Sequence, residues 1–116
     1  FKTKDGYAVR DFIDVNDLAY LHFRFLKNLK TNKNNYIINC GYGKGSTVKE
    51  IIDHFQSFSK AKLKYKIKPS RQGDIPFSVC NNAKLNTKIN WKPRFNDVRK
   101  SIKNTIHWNQ YLVNKL

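Results

Sequence analysis

The sequence predicts a mixed α/β fold of short strands with three to four helices. Short runs rich in β-branched and aromatic residues alternate with longer stretches whose apolar residues recur every three or four positions. Clusters of Gly, Pro and Asn punctuate the chain between them. The 116 residues are 40% hydrophobic, with eight Phe, six Tyr and two Trp. A chain of that size supports one core that buries roughly two thirds of its unfolded surface.

The first strand is expected over Arg10 to Val15, where Phe12, Ile13 and Val15 suit a pleated surface. Asn16 or Asp17 then offers an N-cap, and Leu18, Leu21, His22, Phe25, Leu26 and Leu29 recur at helical spacing to about Lys30. Thr31 to Asn35 has no apolar residue and reads as a loop. Tyr36 to Cys40 is a largely apolar run without alternation, which predicts a strand covered on both faces. Gly41, Gly43 and Gly45 make a turn, and Thr47 with Glu50 forms a capping box ahead of Val48, Ile51, Ile52 and Phe55.

Lys62 to Lys68 alternates strictly, so Leu63, Tyr65 and Ile67 are expected on a core while four lysines face water, as on an edge strand. Pro69 to Phe77 is irregular, because two prolines and a glycine interrupt it. Asn81 or Asn82 caps a short helix through Ile89, which Trp91-Lys92-Pro93 ends. Asn96 or Asp97 caps the last helix, with Val98, Ile102, Thr105, Ile106, Trp108, Leu112 and Val113 at helical spacing.

Composition narrows the function classes. No run of about 18 apolar residues and no signal-peptide pattern occurs, so a cytoplasmic protein off the membrane is expected. Cys40 and Cys80 lie in no C-x-x-C unit and read as free thiols. The chain has no Met, so Phe1 is expected to follow processing or truncation. Lys and Arg total 23 against eight Asp and Glu, a net charge of +15, and eighteen of the basic residues are Lys. A small basic nucleic-acid-binding module is the competing reading. It is disfavoured because such a module needs basic and aromatic residues on one face, whereas these lysines share the chain with fourteen Asn and ten Ile, a bias that A/T-rich codons produce.

Several constellations carry chemistry in principle. Gly41-Tyr42-Gly43-Lys44-Gly45-Ser46-Thr47 stands between strand and helix, where phosphate loops occur, but fits neither glycine-rich template. It is a structural turn or an anion-binding one. His22, His54 and His107 have no partner at metal-ligand spacing, so no metal site is expected. Tyr111 and Lys115 have the Y-x-x-x-K spacing of a tyrosine base, at a chain end where a surface pair is the expectation. Arg71 and Asp74, between Pro69 and Pro76, suit recognition of a diphosphate and a hydroxyl, or form a local ion pair. Arg10-Asp11 is open in the same way.

Asp5 to Ala19 (D-G-Y-A-V-R-D-F-I-D-V-N-D-L-A), Asn39 to Val48 (N-C-G-Y-G-K-G-S-T-V), Pro69 to Pro76 (P-S-R-Q-G-D-I-P) and Asn90 to Pro93 (N-W-K-P) occur together in one order and spacing. In that order and spacing the chain resembles the C-terminal part of the UDP-glucose 4-epimerases, within the extended short-chain dehydrogenase/reductase family. Phe12, Asp14 and Asn81 stand where the family usually has Tyr, His and Asp.

The resemblance implies that residues 1–116 are a single C-terminal substrate-binding domain fragment. The N-terminal Rossmann domain, which would bind NAD, is absent from it. Whole members oxidise the sugar C4 hydroxyl by hydride transfer to NAD and return hydride to the other face, interconverting UDP-glucose and UDP-galactose and, in some members, N-acetylated forms. No catalytic residue is expected here, and the fragment alone is expected to be inactive. Arg10 and Arg71 are implied to hold the UDP diphosphate, Asp74 to bind the ribose or lie beside it, and Ser78 to line the sugar pocket. The implied partners are a UDP-sugar and the protein's own Rossmann domain, and the resemblance allows a homodimer. The alternative within this reading is a sister nucleotide-sugar epimerase or dehydratase.

Overall fold

The computed structural model describes residues 1–29 and 35–115, so most of the loop expected at Thr31 to Asn35 lies outside the described residues. The elements run β1 (Val9–Arg10), α1 (Val15–Leu29), β2 (Ser46–Thr47), α2 (Val48–Ser59), β3 (Phe77–Ser78), α3 (Ala83–Ile89) and α4 (Val98–Val113). The architecture is mixed α/β, with four helices around a three-stranded sheet ordered β2-β1-β3. β1 runs antiparallel to β2, pairing Val9 with Thr47 and Arg10 with Ser46. It runs parallel to β3, pairing Val9 with Phe77 and Arg10 with Ser78.

Capping governs where the helices begin. At α2, Thr47 Oγ1 accepts the Glu50 amide at 3.1 Å and Glu50 Oε2 accepts the Thr47 amide at 2.9 Å, the capping box read from the sequence. Asp97 caps α4 by accepting the Arg99 amide at 3.0 Å. Asn82 stands at the N-cap position of α3, while Asn81 Oδ1 accepts the Ala83 amide at 3.1 Å. At α1 neither Asn16 nor Asp17 does this work. Asp14 Oδ1 accepts the Asn16 amide at 2.9 Å, so the helix opens at Val15 and Asp17 turns into the interior. This also shortens the first strand. Asp11 and Asp14 engage backbone amides with their side chains, which draws the chain off the ladder after Arg10 rather than at Val15.

Leu21, Leu85 and Trp91 form the buried centre, and Ile13, Phe25, Ile38, Cys40 and Tyr42 pack on it. Tyr42 and Trp91 lie parallel at 4° with centroids 5.7 Å apart. The helical spacing of α1 and α3 thus delivers Leu21 and Leu85 to one place. Val98, Ile102 and Ile106 are buried or half-buried on α4, whereas Trp108, Leu112 and Val113 beyond them are exposed.

Two expected strands do not form. In residues 36–40 the side chains of Tyr36, Ile38 and Cys40 are half-buried, but Ile37 is 90% exposed, so one face is covered and not two. Lys84 Nζ donates to the Ile37 carbonyl at 2.7 Å, taking an acceptor that a neighbouring strand would use. Residues 62–68 are exposed throughout, Leu63, Tyr65 and Ile67 included. Their alternation is intact in the sequence, but Leu63 and Tyr65 are only partly covered and Ile67 is 75% exposed. The radius of gyration is 17.1 Å, against about 13 Å for a compact chain of this length. No helix of the described residues is long and apolar enough to cross a membrane.

Candidate functional site

Arg10, Ser78 and the Arg71–Asp74 turn fall on the central strand, its parallel neighbour and the loop feeding that neighbour. Opposed residues in register share a face of the sheet, so the pairing places Arg10 beside Ser78. The Arg10 guanidinium donates to the Val9 carbonyl at 2.8 Å and to the Ile75 carbonyl at 3.0 Å, which ties it to the segment entering β3. Ser78 is exposed, and with Arg10, Asp11, Asn39, Cys40 and Cys80 it lines a cavity of about 440 Å³.

Arg71 and Asp74 close their own turn. The Asp74 amide donates to the Arg71 carbonyl at 3.1 Å, Asp74 Oδ2 accepts the Arg71 amide at 2.9 Å, and Arg71 Nε lies 3.6 Å from the same oxygen. Gly73 has φ +87°, a left-handed conformation that glycine adopts without strain. The Arg71 amide bond, then the Arg71 charge and the Arg10 charge, hold the Asp74 carboxyl below its ordinary 3.8. The local ion pair is therefore present, and the Arg71 side chain is still 88% exposed. Neither residue lines the cavity of Arg10 and Ser78.

In the glycine turn the Tyr42 and Gly43 amides are already engaged. Asp11 Oδ1 accepts the Tyr42 amide at 3.1 Å and Oδ2 accepts the Gly43 amide at 2.8 Å. Asp11 Oδ2 also accepts the Cys80 amide at 3.3 Å. Gly41 is required by close approach, since a Cβ there would lie 2.5 Å from Cys80 Cβ and 2.7 Å from Asp11 Oδ2. At the α2 end Glu50 holds the Thr47 amide and pairs with Lys4. A carboxylate seated on these donors repels a phosphate, which favours the structural reading of the turn over a phosphate cradle.

A second carboxylate organises the opposite side of Tyr42. Asp17 is 1% exposed and accepts the Arg94 amide at 2.9 Å, the Phe95 amide at 2.8 Å and the Tyr42 hydroxyl at 2.8 Å. Burial, and then the bonded Asp17, push the Tyr42 phenol well above its ordinary 10.0. It is a proton holder within the fold and not a base. Asp11 and Asp17 are the organising residues, a role the sequence did not give them, having read Asp17 as a possible N-cap and Asp11 only beside Arg10; nothing in local spacing shows that their partners lie 31 and 77 positions away.

The remaining candidates separate in space. Among the described residues no group of three His, Cys, Asp or Glu is placed to hold a metal ion. Cys40 and Cys80 are free thiols on the cavity wall, and burial raises both above the ordinary 9.0. Lys115 Nζ sits 4.7 Å from the Tyr111 ring centroid, and Tyr111 stacks on Trp108 at 5.5 Å; this is an exposed aromatic pair.

No protein-family model matches the chain. It is similar to UDP-arabinose 4-epimerase 1 of Arabidopsis thaliana, 33% identical over 108 residues, which are 93% of this chain and 26% of that protein. Its fold is similar to the UDP-glucose 4-epimerase of Stenotrophomonas maltophila, crystallised with NAD and formylated UDP-arabinopyranose. That match has TM-score 0.90 and 29% identity, covering 100% of this chain and 34% of that one. It is also similar to the UDP-Glc/GlcNAc 4-epimerase of Campylobacter jejuni, with TM-score 0.85 and 32% identity over 96% of this chain and 33% of that one. The chain thus spans about a quarter to a third of the length of its relatives. In sequence and in fold, over that share of their length, the chain is similar to UDP-sugar 4-epimerases.

Proposed function

We propose that this chain is the C-terminal part of a nucleotide-sugar 4-epimerase and grips the UDP-sugar for a reaction completed by the rest of the protein. The observation that carries the reading is the pairing of Arg10 with Ser78 across β1 and β3, with the Arg71–Asp74 turn leading directly into β3. Arg10 and Arg71 bind the diphosphate, Asp74 meets the ribose, and Ser78 borders the sugar. A guanidinium suits this task because its planar fork makes paired, charge-assisted bonds to phosphoryl oxygens.

The residues present do not fit NAD. The glycine-rich turn has its Tyr42, Gly43 and Thr47 amides held by the carboxylates of Asp11 and Glu50, which disfavours a dinucleotide phosphate there. NAD, with which the Stenotrophomonas relative was crystallised, is assigned to a Rossmann domain outside these residues. The same domain would cover the two extended segments whose side chains Ile37 and Ile67 are largely exposed. A glycine-rich strand–turn–helix and a Y-x-x-x-K pair upstream in the same reading frame would support the assignment, and their absence would remove it.

Arg71→Ala in the full-length protein is the direct test. Its guanidinium is exposed and pairs only locally with Asp74, so its loss bears on ligand more than on fold. Charge-assisted bonds are worth about 1.5–3 kcal/mol, which predicts roughly ten- to over a hundredfold weaker calorimetric affinity for UDP-sugar. An unchanged affinity would overturn the assignment.

A further inference from the structure

Resting on the UDP-sugar reading above, we infer that Asp11 is the positioning residue of the site. It holds Arg10 and Ser78 in one geometry through the backbone amides that its carboxylate accepts. Its two carboxylate oxygens take three amides from two separate segments: Tyr42 and Gly43 of the glycine turn, and Cys80, two residues beyond Ser78. Asp11 itself follows Arg10 directly, so one side chain ties the strand bearing the arginine to the strand bearing the serine and to the turn beneath both.

Four further observations support this. The β1 and β3 strands are two residues each, so ladder bonds alone give the Arg10–Ser78 register little support. Gly41 lies against Asp11 and Cys80 so closely that a methyl group there would overlap both, which shows that the clamp is packed as well as bonded. The cavity that contains Arg10 and Ser78 is also lined by Asp11 and Cys80, so loosening the clamp alters the cavity directly. Among the described residues no Lys, Arg or His is within ion-pair distance of the Asp11 carboxylate, which leaves the amides as its partners.

The test is Asp11→Asn in the full-length protein, an exchange that keeps shape but turns an NH2 group toward donors that need an acceptor. UDP is the probe, and binding is measured by calorimetry at a temperature where circular dichroism shows the variant folded. The expected result is an affinity roughly tenfold weaker, with KM raised and kcat changed less. Leu85→Ala, in the buried centre, is the stability control. It should lower the melting temperature while leaving UDP affinity within about twofold. If Asp11→Asn binds UDP as tightly as the parent, or if Leu85→Ala weakens binding equally, the positioning role is wrong although the UDP-sugar reading stands. If the parent protein itself does not bind UDP, the functional reading fails and this inference falls with it.

Discussion

Asp17 offers the sharpest test of how the fold is held together. Its carboxylate is 1% exposed and accepts three hydrogen bonds, from the Arg94 and Phe95 amides and the Tyr42 hydroxyl. In Asp17→Asn the shape is kept, but one oxygen becomes an NH2 group, so the Phe95 amide or the Arg94 amide is left facing a donor. Bonds to a charged acceptor are worth about 1.5–3 kcal/mol, and an orphaned buried donor costs about 1–3 kcal/mol. Tyr42 has a second acceptor in the Phe95 carbonyl at 3.2 Å, so its hydroxyl is partly rescued and the cost falls mainly on one amide. The expected loss is about 2–3 kcal/mol, a large share of a typical domain stability of about 5–15 kcal/mol.

Urea unfolding of the full-length protein, followed by fluorescence of the Trp91 environment, measures it. The midpoint should fall by about 1–2 M. Tyr42→Phe removes one of the three partners and should cost about 1 kcal/mol. The double variant should cost less than the two singles together, because the pair interacts directly. A loss under about 0.5 kcal/mol for Asp17→Asn, or strict additivity with Tyr42→Phe, would refute the account.

Two other outcomes can be checked. The Asp74 carboxyl is held below its ordinary 3.8, so its bond to the Arg71 amide is fully present above that value and is lost only as pH falls through the lower, folded-state value. The Arg71 amide resonance should therefore titrate with a midpoint under 3.8, and a midpoint at or above it would show that the turn does not protect the carboxylate. Ser78 is small and exposed at the cavity, so the full-length enzyme is expected to turn over UDP-N-acetylglucosamine as well as the unacetylated sugar, and Ser78→Tyr to suppress the acetylated substrate selectively. Equal suppression of both substrates would indicate a general disturbance instead.

Local chemistry was legible where cause and effect lie within a few residues. The Thr47–Glu50 capping box, the Asp97 cap and the apolar stripes of α1 and α4 depend on contacts one turn apart, and the helices form where those patterns stand. The four candidate residues came from motif order, but only the parallel pairing of β1 with β3 sets Arg10 beside Ser78, while Arg71 and Asp74 stand on the turn before β3 and outside that cavity. The same limit explains the strands that did not form. Alternation at 62–68 states which side chains would face a neighbour, but a strand also requires a partner for its backbone, and no sequence window contains that partner.

The sequence by itself determined the resemblance to the epimerases and where the helices lie. Motif order and short-range spacing are properties of a linear chain. The tertiary structure decided what the glycine turn is for and which acids matter. Asp11 reaches the turn across 31 positions and Asp17 reaches Arg94 across 77, so their carboxylates satisfy amides that the sequence left open to a phosphate or to solvent. Buried backbone donors must find an acceptor, and which acceptor arrives first is settled by packing in three dimensions.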